Sequence, residues 1–186
     1  MCSSDLVVRA SLFDGADEVA RSTSLRMRIS ETVNPLDPVR TAHPEDEPHP
    51  MPTRPSFLSV TDVGVPAFLR AVEFRREGEF RSGAPGLVWM NMHNTMVAGH
   101  DTSQFVRLST MADMTSMAAQ YLDHEGWSTI NADLNVTAFR DPVGDWIGIR
   151  GLHKNDGDGI GLSEAVLYDL GGRVGRATAS ILIEPR

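Results

Sequence analysis

Two periodicities divide this chain. Apolar and polar residues alternate through Val8, Ala10 and Leu12, and again through Arg21, Thr23, Leu25, Met27 and Ile29, on either side of Asp14-Gly15-Ala16-Asp17. Period-2 alternation around a Gly-containing turn predicts a β-hairpin over residues 6–29. Further strands are predicted over 68–80 and 86–92. The period then changes, because Phe105, Leu108, Met111, Thr115, Ala118 and Leu122 recur at helical spacing. They predict one long amphipathic helix over 103–122, capped by Asp101, Thr102 or Ser103 and followed by Gly126. Alternation returns over 128–140, 146–153, and a hairpin of 161–168 with 173–183 around Asp169-Leu170-Gly171-Gly172. The predicted class is α+β, an antiparallel sheet wrapped around a long helix.

Seven of the 11 prolines fall between Asn34 and Pro55, interleaved with Glu45, Asp46 and Glu47. Missing amide donors and scarce apolar side chains predict an extended, solvated linker over 34–55. The hairpins on either side are related. Without gaps, 10–29 matches 165–184 at an offset of 155, pairing Ala10 with Ala165, Leu12 with Leu167, Asp14 with Asp169, Val19 with Val174, Arg21 with Arg176 and Thr23 with Thr178. Phe13 stands opposite Tyr168 in the same alignment. Such a repeat predicts two copies of one unit. Residues 1–33 are then the terminal hairpin of an incomplete first unit, and 56–186 a complete second one.

Composition narrows the function classes. With 41% apolar and 23% charged residues the chain suits a globular protein. No apolar run approaches the roughly 18 to 20 residues that span a bilayer. Residues 1–5 lack the pattern of an export signal, so the expected location is cytoplasmic, with no membrane partner. The single cysteine, Cys2, excludes an internal disulfide or a multi-thiolate zinc cluster. A net charge of -8 with dispersed cations argues against a nucleic-acid partner. There is no Gly-x-Ser-x-Gly elbow, no phosphate loop ending in Gly-Lys and no His-Glu-x-x-His helix. Gly157-Asp158-Gly159-Ile160-Gly161 lies between strands and reads as a turn. His43, Glu45, Asp46, Glu47 and His49 read as a solvated acidic run, and Asp123-His124-Glu125 as a polar helix end. Neither a metal nor another cofactor is expected.

Asp133 stands out in Ile130-Asn131-Ala132-Asp133-Leu134-Asn135-Val136-Thr137-Ala138-Phe139. The alternation there places Asp133, Asn135, Thr137 and Phe139 on one face of a strand. Aspartate is disfavoured in strands. Two readings fit: a solvent-facing strand start, or a carboxylate held rigidly beside the helix to orient or deprotonate a water.

Taken together, Gly86-Leu87-Val88-Trp89-Met90, Val97-Ala98-Gly99, Ala112-Asp113, Asn131-Ala132-Asp133-Leu134-Asn135-Val136, Arg140-Asp141-Pro142-Val143-Gly144-Asp145-Trp146, Tyr168-Asp169 and Gly172-Arg173-Val174-Gly175-Arg176-Ala177 resemble the TesB-like (acyl-CoA thioesterase II) family. The resemblance runs over roughly 6–183, with the linker where that family joins its halves. It implies a double hot-dog fold, here with the second copy complete and the first reduced to its terminal hairpin. It also implies hydrolysis of acyl-CoA thioesters to free acid and CoA within fatty acid metabolism, without metal, by a protein that can form homo-oligomers.

In that family an Asp, a Ser or Thr, and a Gln position the attacking water. Asp133 matches the Asp, seven residues ahead of Arg140. The hydroxyl position falls within 154–156, where Asn155 is the polar candidate. The Gln position falls on Ala179, leaving Ser180 or Thr178 as substitutes, of which alternation lets only one of two neighbours face the site. Backbone donors at the helix start, 101–104, are a further candidate for holding the thioester carbonyl. Absence of the Gln keeps an alternative open: a non-catalytic hot-dog protein that binds acyl-CoA or serves as a partner subunit.

Overall fold

In the computed structural model, which describes residues 6–27, 44–53, 67–76, 86–118 and 126–186, the opening alternation folds as predicted into a hairpin. Its strands are β1 (Leu6–Asp14) and β2 (Asp17–Arg26), joined through Gly15, whose φ of 61° lies in the left-handed region. The register runs Ser11 to Arg21 and Leu12 to Ala20, then shifts at a bulge so that Phe13 meets Glu18. The chain divides into two compact units, Met1–Thr41 and Ala42–Arg186.

The second unit holds a seven-stranded antiparallel sheet in the order β3-β4-β7-β8-β9-β5, with β6 also paired to β9. A single turn of helix, α1 (Ala67–Arg70), leads into β3 (Val72–Arg76), so only part of the predicted strand 68–80 is extended, and 77–80 lie outside the described residues. β4 (Gly86–Met92) follows, then α2 (Gln104–Ala112) and α3 (Thr115–Ala118). The remaining strands are β5 (Trp127–Asn131), β6 (Asn135–Ala138), β7 (Trp146–Asn155), β8 (Ile160–Asp169) and β9 (Gly172–Pro185). Among the described residues no helix is long and apolar enough to cross a membrane.

The core lies between the sheet and the helices. Leu108, Met111, Ala112 and Ala118 supply the helical side, against Phe74, Val88, Met90, Ile147, Ile149 and Leu167 from the strands. Burying each of the larger of these side chains stabilises by about 1.5–3 kcal/mol. The predicted single helix is broken at Asp113–Met114. The Met114 amide turns back to the Met111 carbonyl and the Thr115 hydroxyl to the Ala112 carbonyl, a tightening that separates α2 from α3. Ser103 is the N-cap, accepting from the Val106 amide at 3.3 Å.

A clamp fixes the β8–β9 turn. Arg140 donates to both Asp169 carboxylate oxygens and to the carbonyls of Gly172 and Arg173, while Asp169 also accepts from the Val143 and Gly171 amides. Asp169 is buried, and burial alone would raise its pKa. The bonds from Arg140 and the two amides outweigh burial and hold it below the usual value.

The described part of the proline-rich segment, 44–53, has no buried residue, yet it also makes contacts with the sheet. Pro44–Asp46 form a 3-10 turn against β9. From there the chain crosses the face of the sheet opposite the helices. His49 sets its ring edge-on against Tyr168 at 4.7 Å, Met51 packs on the Trp89, Val166 and Tyr168 cluster, and the Pro52 carbonyl accepts from Arg75. Two of its acidic residues are ion-paired: Glu45 with Arg176 at 2.6 Å and Asp46 with Arg173 at 3.2 Å. Gly172, at φ 123°, permits this close passage, since a Cβ there would lie 2.7 Å from the Asp46 carbonyl oxygen.

Candidate active site

Asp133 does not lie within a strand. The predicted strand 128–140 splits into β5 and β6, and Asp133 occupies the break. β5 ends with Asn131 opposite Ile181, and β6 begins with Asn135 opposite Thr178. Three residues on one side therefore face two on the other, the arithmetic of a bulge. The ladder is completed by a side chain. Ala132 donates its amide to the Ser180 carbonyl at 2.8 Å, and the Ser180 amide donates to Asp133 Oδ1 at 2.6 Å, where a strand carbonyl would otherwise stand.

The other carboxylate oxygen, Oδ2, accepts from the Asn135 side-chain amide at 3.2 Å. The backbone bond from Ser180, followed by its hydroxyl, lowers the Asp133 pKa. Burial opposes weakly and Asn135 adds to the lowering, so the group is an exposed, ionised carboxylate at neutral pH. Asn131 anchors the start of the loop, its amide donating to the Asp113 carbonyl and to Asp113 Oδ1 at the helix break. That tie is to the carboxyl end of α2. The helix start at Gln104 lies roughly 13 Å along the axis from that tie.

The structure brings two of the three sequence candidates together. Ser180 is bonded to Asp133, whereas Ala179, the position expected for the family Gln, is buried in the core. Asn155 is placed elsewhere. Cross-strand partners share a face, and Lys154, Leu162 and Ser180 form one row while Asn155, Gly161 and Ile181 form the next. Asn155 thus belongs to the face opposite Ser180, and Lys154 shares the face of Ser180. Reading by sequence missed Asn135 and Asn131 as carboxylate and loop anchors. The signal was available in Asn-x-Asp-x-Asn, whose two amides flank the Asp. Among the described residues no group of three or more His, Cys, Asp or Glu side chains is placed to hold a metal.

An antiparallel sheet curled on a helix, with a carboxylate seated at a break in its edge ladder, belongs to the hot-dog-like class of thioesterase folds. Residues 40–183 match the family described as acyl-CoA thioesterase C-terminal domain, and the chain belongs to that family, among the TesB-like thioesterases. Solved structures agree at the level of fold. A protein named as a thioesterase II from Thermobifida fusca superposes with a TM-score of 0.69 at 15% identity, over 98% of this chain and 68% of its own. The acyl-CoA thioesterase II TesB2 of Mycobacterium marinum gives 0.64 at 14% identity, over 99% and 70%. The tesB protein of Mycobacterium avium subspecies paratuberculosis gives 0.63 at 14% identity, over 98% and 67%. No curated protein sequence matches the chain.

Proposed function

We propose that this chain hydrolyses acyl-CoA thioesters to free acid and CoA, with the Asp133 carboxylate holding the attacking water. Membership of the acyl-CoA thioesterase C-terminal domain family supports the reaction class. The observation that carries the residue assignment is the carboxylate fixed by Ser180 and Asn135. Each carboxylate oxygen can accept more than one hydrogen bond, so a water can be held beside the anchoring donors. The water oxygen attacks the thioester carbon while one of its protons moves toward Asp133. The carbon–sulfur bond then breaks, and the departing CoA sulfur takes that proton. A carboxylate of lowered pKa is a weak base, so Asp133 acts mainly by orienting the water and stabilising the positive charge that develops on it. Ser180 takes the positioning role that the family assigns to a Gln, and Asn155 is given no part in holding the water.

The same reading takes β1–β2 as the closing hairpin of another copy of the fold. Its support is local geometry: shifted by 155, the pairs of β1–β2 and their bulge at Leu12/Phe13 coincide with those of β8–β9 and its bulge at Leu167/Tyr168.

Thiol release from short and medium acyl-CoAs tests the assignment. Asp133→Asn is expected to lower kcat by about 10² or more with the fold intact; an unchanged rate removes Asp133 from the mechanism. The non-catalytic alternative is favoured by Ala179 occupying the Gln position. Tight calorimetric binding of acyl-CoA with no thiol released would establish it.

A further inference from the structure

The face of the sheet opposite the helices is covered unevenly. Arg75 pairs with Trp89, Trp89 with Gly148, Gly148 with Tyr168 and Tyr168 with Arg173, so these residues form one row on that face. Arg150, Val166 and Arg176 form the next row. Here the segment 44–53 crosses as a strap, with Met51 and His49 seated on the aromatic side chains. Trp89 and Tyr168 are fully buried and Val166 nearly so. Further along the same face, Leu162, Leu182 and Ile160 are exposed. Burial on this face thus goes with the strap.

The strap itself is lightly held. None of its residues is buried. Its attachments include Glu45 to Arg176 at 2.6 Å and to Arg173 at 4.0 Å, Asp46 to Arg173 at 3.2 Å, and the Pro52 carbonyl to Arg75 at 3.5 Å. The Arg176 side chain is 50% exposed and that of Asp46 45%, so these ion pairs are weak and salt screens them.

Closure also has a polar cost. His49 Nε2 and Trp89 Nε1 are buried atoms, and neither has a hydrogen-bond partner among the described residues. Opening returns both to water. It does not strand Arg176, because Glu164 stands diagonal to it across β8 and β9 on the same face and offers the freed guanidinium another carboxylate.

We propose that 44–53 is a salt-sensitive latch, a segment that opens without unfolding the sheet and whose closed population is set by Glu45 and Asp46 on Arg173 and Arg176. Opening bares Trp89 and Tyr168. It also frees Arg176, which lines a groove of about 370 Å³ together with Asn135, Phe139 and Thr178. The latch is independent of the reaction proposed above.

Hydrogen exchange at the Trp89 indole tests it. That N–H is shielded by burial alone, so its exchange in the full chain, followed by NMR in deuterated buffer beside the backbone amides of β8, reads the opening equilibrium. Raising NaCl from about 0.01 M to about 1 M shortens the screening length from about 30 Å to about 3 Å and is expected to speed indole exchange roughly tenfold, with the β8 amides unchanged. Glu45→Gln combined with Asp46→Asn is expected to reach the fast rate at low salt and to lose the salt dependence. Met51→Ala is expected to speed exchange at every salt concentration and keep the dependence, because it removes packing and leaves the charges. Indole exchange that keeps step with the β8 amides would mean that Trp89 is reached only by unfolding the sheet, which overturns the latch. An indole rate that neither salt nor the double variant alters removes the ion pairs from it and overturns the proposal equally.

Discussion

Leu12 and Leu167 occupy equivalent positions in two hairpins of matching register, yet Leu12 is 63% exposed and Leu167 is fully buried. Val19 and Val174 repeat the contrast, at 58% and 0% exposure. The bulge falls between equivalent residues in both hairpins. Register and bulge thus follow from alternation and a tight turn, which travel with the local sequence. Burial does not. It requires the helices, β7 and the Pro44–Asp46 strap, which surround β8–β9.

The largest expected effect that sharpens this contrast is at the two leucines. Leu167→Ala should destabilise the second unit by about 3 kcal/mol, whereas Leu12→Ala should change its stability by less than about 0.5 kcal/mol. Urea unfolding followed by tryptophan fluorescence reads this directly, because Trp89, Trp127 and Trp146 all belong to the second unit. Equal shifts would break the comparison.

Next come the paired aspartates. Asp169→Ala should cost about 2–3 kcal/mol by leaving Arg140 without its carboxylate, and Asp14→Ala should cost far less. The pH dependence has a definite sign. Because the folded pKa of Asp169 lies below its usual 3.8, its contribution is present above that pH and is lost as pH falls through the folded value. The stability gap between wild type and Asp169→Asn should therefore narrow on acidification below about pH 4, as measured by unfolding at a series of pH values.

A smaller effect separates Gly175 from its counterpart, Ala20. A Cβ on Gly175 would overlap the Thr137 carbonyl oxygen, because β6 passes directly over it. Gly175→Ala should cost about 1–3 kcal/mol and loosen the β6 amides in hydrogen exchange, while Ala20→Gly should cost no more than about 1 kcal/mol. A tolerated Gly175→Ala would show that β6 is not held there.

Features with a local cause were legible in the sequence. Both hairpins, β7, the buried stripe of α2 and the offset of 155 follow from alternation, helical spacing and turn residues. Features set by distant partners were not. The strap reads as a linker because its prolines and acids have no partners nearby in sequence; Glu45 meets Arg176 131 residues later. The helix break at Asp113 depends on back-bonding by Thr115, which spacing does not reveal. Asp133 stands out in the sequence, but its place outside the strand depends on an extra residue opposite β9. Asn155 is a candidate only by its position in a variable stretch, where a shift of one residue reverses the face.

Seating Asp133 in the edge ladder gives one carboxylate two duties, and this determines how an inactive form for trapping bound ligand is to be made. Removing the side chain altogether would strand the Ser180 amide and unfasten the junction of two strands, mixing loss of chemistry with loss of shape. An asparagine keeps an oxygen for that amide and gives up the charge and the second acceptor, which the Asn135 amide can match by turning over, so a crystal of Asp133→Asn with uncleaved thioester would hold the architecture of the working protein.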